Sequence, residues 1–152
     1  MIFENEFVWR LVLAALLGAL LGLERSLAGK HAGMRTYALV SMGSALFTVA
    51  GVVASMQFSL FPGVNPLQLA GFVIVGIGFI GAGLGSLGGN RPAELTTAAG
   101  IWVVAGIGLA AGLGYELMAL TATVLAVIIF AVFARVEHSL RTRFGARYNS
   151  TE

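Results

Sequence analysis

The 152-residue chain has no cysteine and no aspartate, and only 11% of its residues are charged. Without cysteine there can be no disulfide framework, cysteine nucleophile or thiolate metal site. Without aspartate, the two histidines, His31 and His138, lack the aspartate partner of a His-Asp catalytic pair. Soluble domains usually carry about 25% charged residues, so an ordinary water-facing surface is also excluded. What the chain has instead is 58% hydrophobic residues and 21 glycines. Its pI of about 9.5 comes from a small arginine excess beside the apolar runs. That is a topology signal and not a nucleic-acid surface.

The apolar residues fall into five runs, Phe7–Leu23, Tyr37–Met56, Leu67–Leu87, Leu95–Leu113 and Leu117–Ala134. Each is long enough to cross a hydrocarbon core of about 30 Å as a helix. The expected fold is therefore an all-α membrane bundle of five transmembrane helices. The third run has no charge but contains Gly71, Gly76, Gly78, Gly81, Gly83 and Gly85. In water that load would destabilise a helix by about 1 kcal/mol per glycine. In lipid the backbone must satisfy its own hydrogen bonds, and glycine lets a neighbouring helix come close. The pairs Gly18/Gly22 and Gly108/Gly112 and the series Gly81/Gly85/Gly89 repeat the same small-xxx-small spacing.

With five spans, the Glu24–Thr36 and Gly88–Glu94 connectors lie on the same side as the C-terminal residues. That side holds Arg25, Lys30, Arg35, Arg91, Arg135, Arg141, Arg143 and Arg147; the other keeps Arg10 with Glu4, Glu6 and Glu116. The positive-inside rule then puts the N-terminus outside and the C-terminus in the cytoplasm. The acidic start of the chain and the absence of a small-x-small cleavage site argue that the first run is kept as a span. Residues 1–134 read as the transmembrane domain and 135–152 as a basic cytoplasmic tail.

Gly76–Gly81 matches G-x-G-x-x-G literally, but it lies inside a hydrophobic span instead of at the strand-to-helix turn that a dinucleotide fingerprint needs. We read it as helix packing, with Gly76 and Gly78 part of that face. Ser41, Ser44, Thr48 and Ser55 recur at helical spacing as a polar stripe on the second span. The stripe could line a solute path, or its hydroxyls could bond their own or a neighbouring helix. Ala15, Gly18, Gly22 and Arg25 share one face of the first helix, which carries Arg25 toward the interior. With Glu24, Arg35, Thr36, Glu94, Thr96 and Thr97 it forms a candidate polar site at the cytoplasmic end, since charges at membrane depth are usually paired or functional. Magnesium would want carboxylates, and none lies at mid-depth in a span, so the metal assignment stays open. No catalytic constellation and no cofactor is expected.

Gly22-Leu23-Glu24-Arg25, Ala32-Gly33-Met34-Arg35-Thr36, Gly76-Ile77-Gly78-Phe79-Ile80-Gly81-Ala82-Gly83 and Leu95-Thr96-Thr97-Ala98-Ala99 with Trp102 occur in this order. Together they resemble the motifs of the MgtC/SapB family over roughly Arg10 to Gly114. The resemblance implies a bacterial inner-membrane protein linked to growth under magnesium limitation, of a family described as regulators, including of the F-type ATP synthase. It also suggests a short form without the soluble C-terminal domain of many members. Glu94 stands where the family usually has glycine. The expectation is a regulator or ion-homeostasis protein acting through helix-helix contacts; the alternative is an oligomeric transporter or channel for an ion or small solute. Its expected partners are the lipid bilayer, further copies of itself, with a dimer the simplest case, and a membrane protein partner, but no nucleic acid.

Overall fold

A computed structural model of the chain describes residues 2–57, 66–87 and 92–144. Most of the Gln57–Pro66 and Gly88–Glu94 connectors, the residues beyond Phe144, the surroundings of Gly85 and the Glu94 side chain lie outside the described residues. The described residues are helical apart from two short corners. Helices α1 (Ile2–Leu27), α2 (Met34–Gln57), α3 (Pro66–Leu87) and α4 (Pro92–Gly112) are followed by α5 (Glu116–Ile128). Helix α5 runs through a π-helical stretch, Ile129–Phe133, into α6 (Ala134–Phe144).

Four helical stretches, Asn5–Leu27, Met34–Gln57, Leu95–Gly112 and Glu116–Leu140, are long and apolar enough to cross a membrane. Helix α3 adds the shorter apolar run Gly71–Gly83. The chain is an all-helical membrane bundle, and its helices overrun the apolar runs. Helix α1 starts at Ile2 and includes Glu24 and Arg25. The last helix does not stop at Ala134, because no glycine or proline interrupts the sequence before Gly145.

Helices α1 and α4 each close with a glycine in the left-handed region. At Gly29 (φ 66°) and Gly114 (φ 84°) the chain reverses. Lys30 N–H bonds Arg25 O at 3.0 Å and Tyr115 N–H bonds Ala110 O at 2.8 Å, the long bond of a Schellman cap in each case. Helix α2 starts on Gly33, with the Ser26 hydroxyl accepting the Met34 N–H at 3.1 Å. A side chain at Gly33 would collide with that hydroxyl, so the Ala32-Gly33-Met34 motif is the entry to α2.

Helix α2 lies at the centre and packs most extensively on α1 and α4. Helix α3 lies against α4 and α2, and α5 against α4 and α1. The interior is built from small and medium residues, among them Ala14, Leu21, Ala45, Ile101, Val104 and Ala111, all fully buried. The large apolar side chains point outward: Leu39, Phe47, Phe72, Phe79, Trp102 and Leu125 are exposed. In lipid, outward apolar groups cost nothing, and small residues at the contacts let backbones approach.

Candidate functional site

One end of the bundle holds a buried charge. Arg25 is only 3% exposed, at the last turn of α1. Its Nε donates to Glu24 Oε2 at 2.5 Å, and Glu24 is itself 19% exposed. The guanidinium stacks on the Phe130 ring, 3.7 Å from the ring centre. Phe130 belongs to the π-helical stretch, whose extra residue per turn re-aims the side chain; such stretches are frequent at functional sites. Gly100 on α4 leaves room for the ring: a Cβ there would sit 2.7 Å from Phe130 Cζ and also strike the Tyr37 hydroxyl. That hydroxyl donates to Thr97 O at 3.3 Å, tying the start of α2 to the start of α4. Ion pair, ring and phenol thus gather α1, α2, α4 and the π-helical stretch around one guanidinium.

The structure brings together Glu24, Arg25 and Thr97 of the residues expected here, and leaves Arg35, Thr36 and Thr96 exposed. Periodicity explains this placement. The inward line of α2 is Tyr37, Ser41, Ser44, Ala45 and Thr48. Arg35 and Thr36 fall off that line, as Thr96 falls one step off the line through Thr97, Gly100 and Ile101. Tyr37, Gly100 and Phe130 were not expected in the site. Tyr37 was legible as the first residue of the stripe's own register; Phe130 was one apolar residue in an apolar run.

The polar stripe divides in two. The Thr48 hydroxyl donates to Ser44 O and the Ser55 hydroxyl to Val52 O, both at 2.8 Å, so these two bond their own helix. Ser41 Oγ and Ser44 Oγ are buried without a hydrogen-bond partner. Ser44 also lines a groove of about 860 Å³ between α2 and α3, with Phe47, Gly43, Phe72, Gly76 and Phe79.

The glycines divide as well. A Cβ at Gly18 would meet Tyr37 O and Ser41 Cβ; at Gly22 it would meet Met34 Cα and Tyr37 Cβ. At Gly108 it would run into Ser41 O, and at Gly112 it would sit 2.8 Å from Ala45 O. These four glycines hold the α2 backbone from both sides. By contrast, Gly76 and Gly78 face open space, with nothing within 4 Å, and Gly81 would make only an ordinary 3.6 Å contact with Ala98. Within the single chain Gly76 and Gly78, read as packing positions, meet no neighbouring helix: α3 meets α4 and α2 along one edge, and Ile77 is its only buried residue among those described.

The other end of the bundle is polar too. Arg10 donates to Gly112 O at 3.0 Å and pairs with Glu6. A cation on the last carbonyls of α4 is favourable for the helix dipole. Trp9 Nε1 donates to Glu116 Oε1 at 2.8 Å. The start of α1, the end of α4 and the start of α5 therefore share one end. Among the described residues, no cluster of three or more His, Asp or Glu could hold a metal ion.

Helices that turn large apolar side chains outward and enclose an Arg-Glu pair and a line of hydroxyls define a polytopic helical membrane protein. Within that class the chain belongs to the MgtC family, whose family model matches residues 11–139. It is 37% identical over 140 residues to YhiD of Escherichia coli (strain K12), named provisionally as a magnesium transporter, covering 91% of this chain and 65% of that one. It is 39% identical over 138 residues to SrpB of Synechococcus elongatus, covering 85% and 75%. With MgtC of Salmonella typhimurium it shares 40% identity over 119 residues, covering 78% of this chain and 48% of that one. The chain thus spans about half to three quarters of the length of these relatives. No solved structure matches it significantly.

Proposed function

We propose that this is a non-enzymatic inner-membrane protein of magnesium or ion homeostasis that acts by helix-helix contact within the bilayer. One observation carries the reading: every tested glycine on the inner faces of α1 and α4 is filled by α2, whereas Gly76 and Gly78 stand open beside a groove. Gly18, Gly22, Gly108 and Gly112 each receive α2 at close range, and the matching surface for Gly76 and Gly78 is supplied by another chain, first of all a second copy. The name of YhiD and membership of the MgtC family support the link to magnesium. The Glu24–Arg25 pair, with Thr97 nearby, closes the cytoplasmic end of the bundle. The N-terminus lies outside, and α6 begins the cytoplasmic tail. Support comes from the charges: the corner after Arg25 carries Lys30 and the start of α2 carries Arg35, whereas Glu6 and Glu116 share the far end.

The second reading, a transporter or channel, rests on Ser41 and Ser44, two buried hydroxyls without partners that could serve a solute path. One pair of measurements separates the two. The chain should restore growth at limiting magnesium to a strain deleted for its own relative, while the purified protein in liposomes takes up no magnesium above empty vesicles. Uptake in the liposomes would remove the contact reading in favour of the path.

A further inference from the structure

Helix α6 is the most amphipathic helix of the chain and makes its main contacts only with the π-helical stretch before it. From Glu116, nineteen residues at 1.5 Å each bring the axis to Arg135, roughly 29 Å on. A hydrocarbon core of about 30 Å ends there. Arg135 turns back and donates to Ala131 O at 2.9 Å, meeting a backbone carbonyl of the π-helical stretch at the boundary. Beyond it α6 still carries an apolar line. Val136 and Leu140 continue the face of Phe133, the last residue of the π-helical stretch, and the three are 48%, 50% and 64% exposed. The same helix bears Arg135, Arg141 and Arg143 against Glu137 alone.

We propose that α6 docks on the anionic headgroup layer of the membrane that α1–α5 cross, with Val136 and Leu140 in the acyl boundary and the arginine excess held by the phosphates of acidic phospholipids. Charge complementarity selects this occupant, since a net-positive helix with a short apolar line suits an anionic interface. A second copy of α6 fits worse. A coiled coil needs its apolar seam over at least three or four heptads, and this line spans little more than one.

The chain has no cysteine, so Leu140→Cys with an apolar fluorophore gives a single reporter and keeps an apolar group at that position. The full chain is placed in nanodiscs of phosphatidylcholine alone or with about a third phosphatidylglycerol, and quenching by neutral acrylamide is measured. Each basic residue near an anionic surface contributes about fivefold in partitioning. The label should therefore be at least about fivefold less accessible in the anionic discs. That protection should vanish at about 1 M salt and in the Arg141→Gln/Arg143→Gln variant. Equal accessibility in both lipids overturns the proposal. Protection that ignores lipid charge but rises with the number of chains per disc overturns it in favour of a second copy.

Discussion

Glycines on α4 and glycines on α3 occupy helices of similar length, 21 and 22 residues, in the same bundle. Their surroundings differ, with Gly106 the open exception on α4. Gly100, Gly108 and Gly112 each stand where a methyl group would strike a neighbour, whether Tyr37 and Phe130 or the α2 backbone. Gly71, Gly76, Gly78 and Gly83 would meet nothing within 4 Å. Glycine spacing alone therefore does not make a contact; it makes one possible, and the opposite surface decides. Around α2 that surface is present in the same chain, and the result is a closed unit of α1, α2 and α4. On α3 it is not, and a groove is left.

The sharpest way to test the closed unit is to remove the charge at its end. Arg25→Ala takes away the partner of half-buried Glu24 and leaves Phe130 facing a void. Breaking a buried pair this way costs roughly 3–5 kcal/mol. Arg35→Ala, ten residues on and exposed, should stay within about 0.5 kcal/mol. Unfolding midpoints in mixed detergent micelles measure both. Equal losses would mean that Arg25 is not the interior charge of the bundle.

A smaller effect is expected one level down, at single methyl groups. Gly108→Ala drives a Cβ into Ser41 O and should cost about 1–3 kcal/mol, the usual range for overpacking. Gly106→Ala lies two residues away on the exposed face of the same helix, with nothing within 4 Å. It should be neutral or slightly stabilising, because alanine is the better helix former. If the same unfolding measurement ranks the two alike, the division of the glycines has no energetic content.

Much of this arrangement was legible in the sequence. The five apolar runs correspond to α1–α5, because a span long enough for the bilayer has few alternatives to a helix. The 3.6-residue repeat set Gly18, Gly22 and Arg25 on one face, and all three are buried. The sequence did not carry the phase of the polar connectors. Arg35 and Thr36 were placed by proximity to the motif, and it was Tyr37, one residue on, that held the inward register. Phe130 had no signal of its own, since a π-helical stretch leaves no mark in a uniformly apolar run. Nor can a glycine pattern say which surface lies opposite, and so the open face of α3 was not distinguishable from the filled faces of α1 and α4.

The smallest effect on the folded chain falls on α3 and carries the most information about association. Gly78→Ala adds a methyl group where nothing lies within 4 Å, so the unfolding midpoint of the monomer should move by less than about 0.5 kcal/mol. If a second copy supplies the missing surface, that methyl group holds the two backbones apart. Two labelled populations mixed in liposomes should then lose their energy transfer in Gly78→Ala, but keep it in Gly106→Ala, which is equally exposed on α4. Loss of transfer with an unchanged midpoint separates a contact between chains from a contact within one. Transfer unchanged in both variants would leave the α3 glycines facing lipid alone, and the difference between α3 and α4 would then be one of packing without a partner.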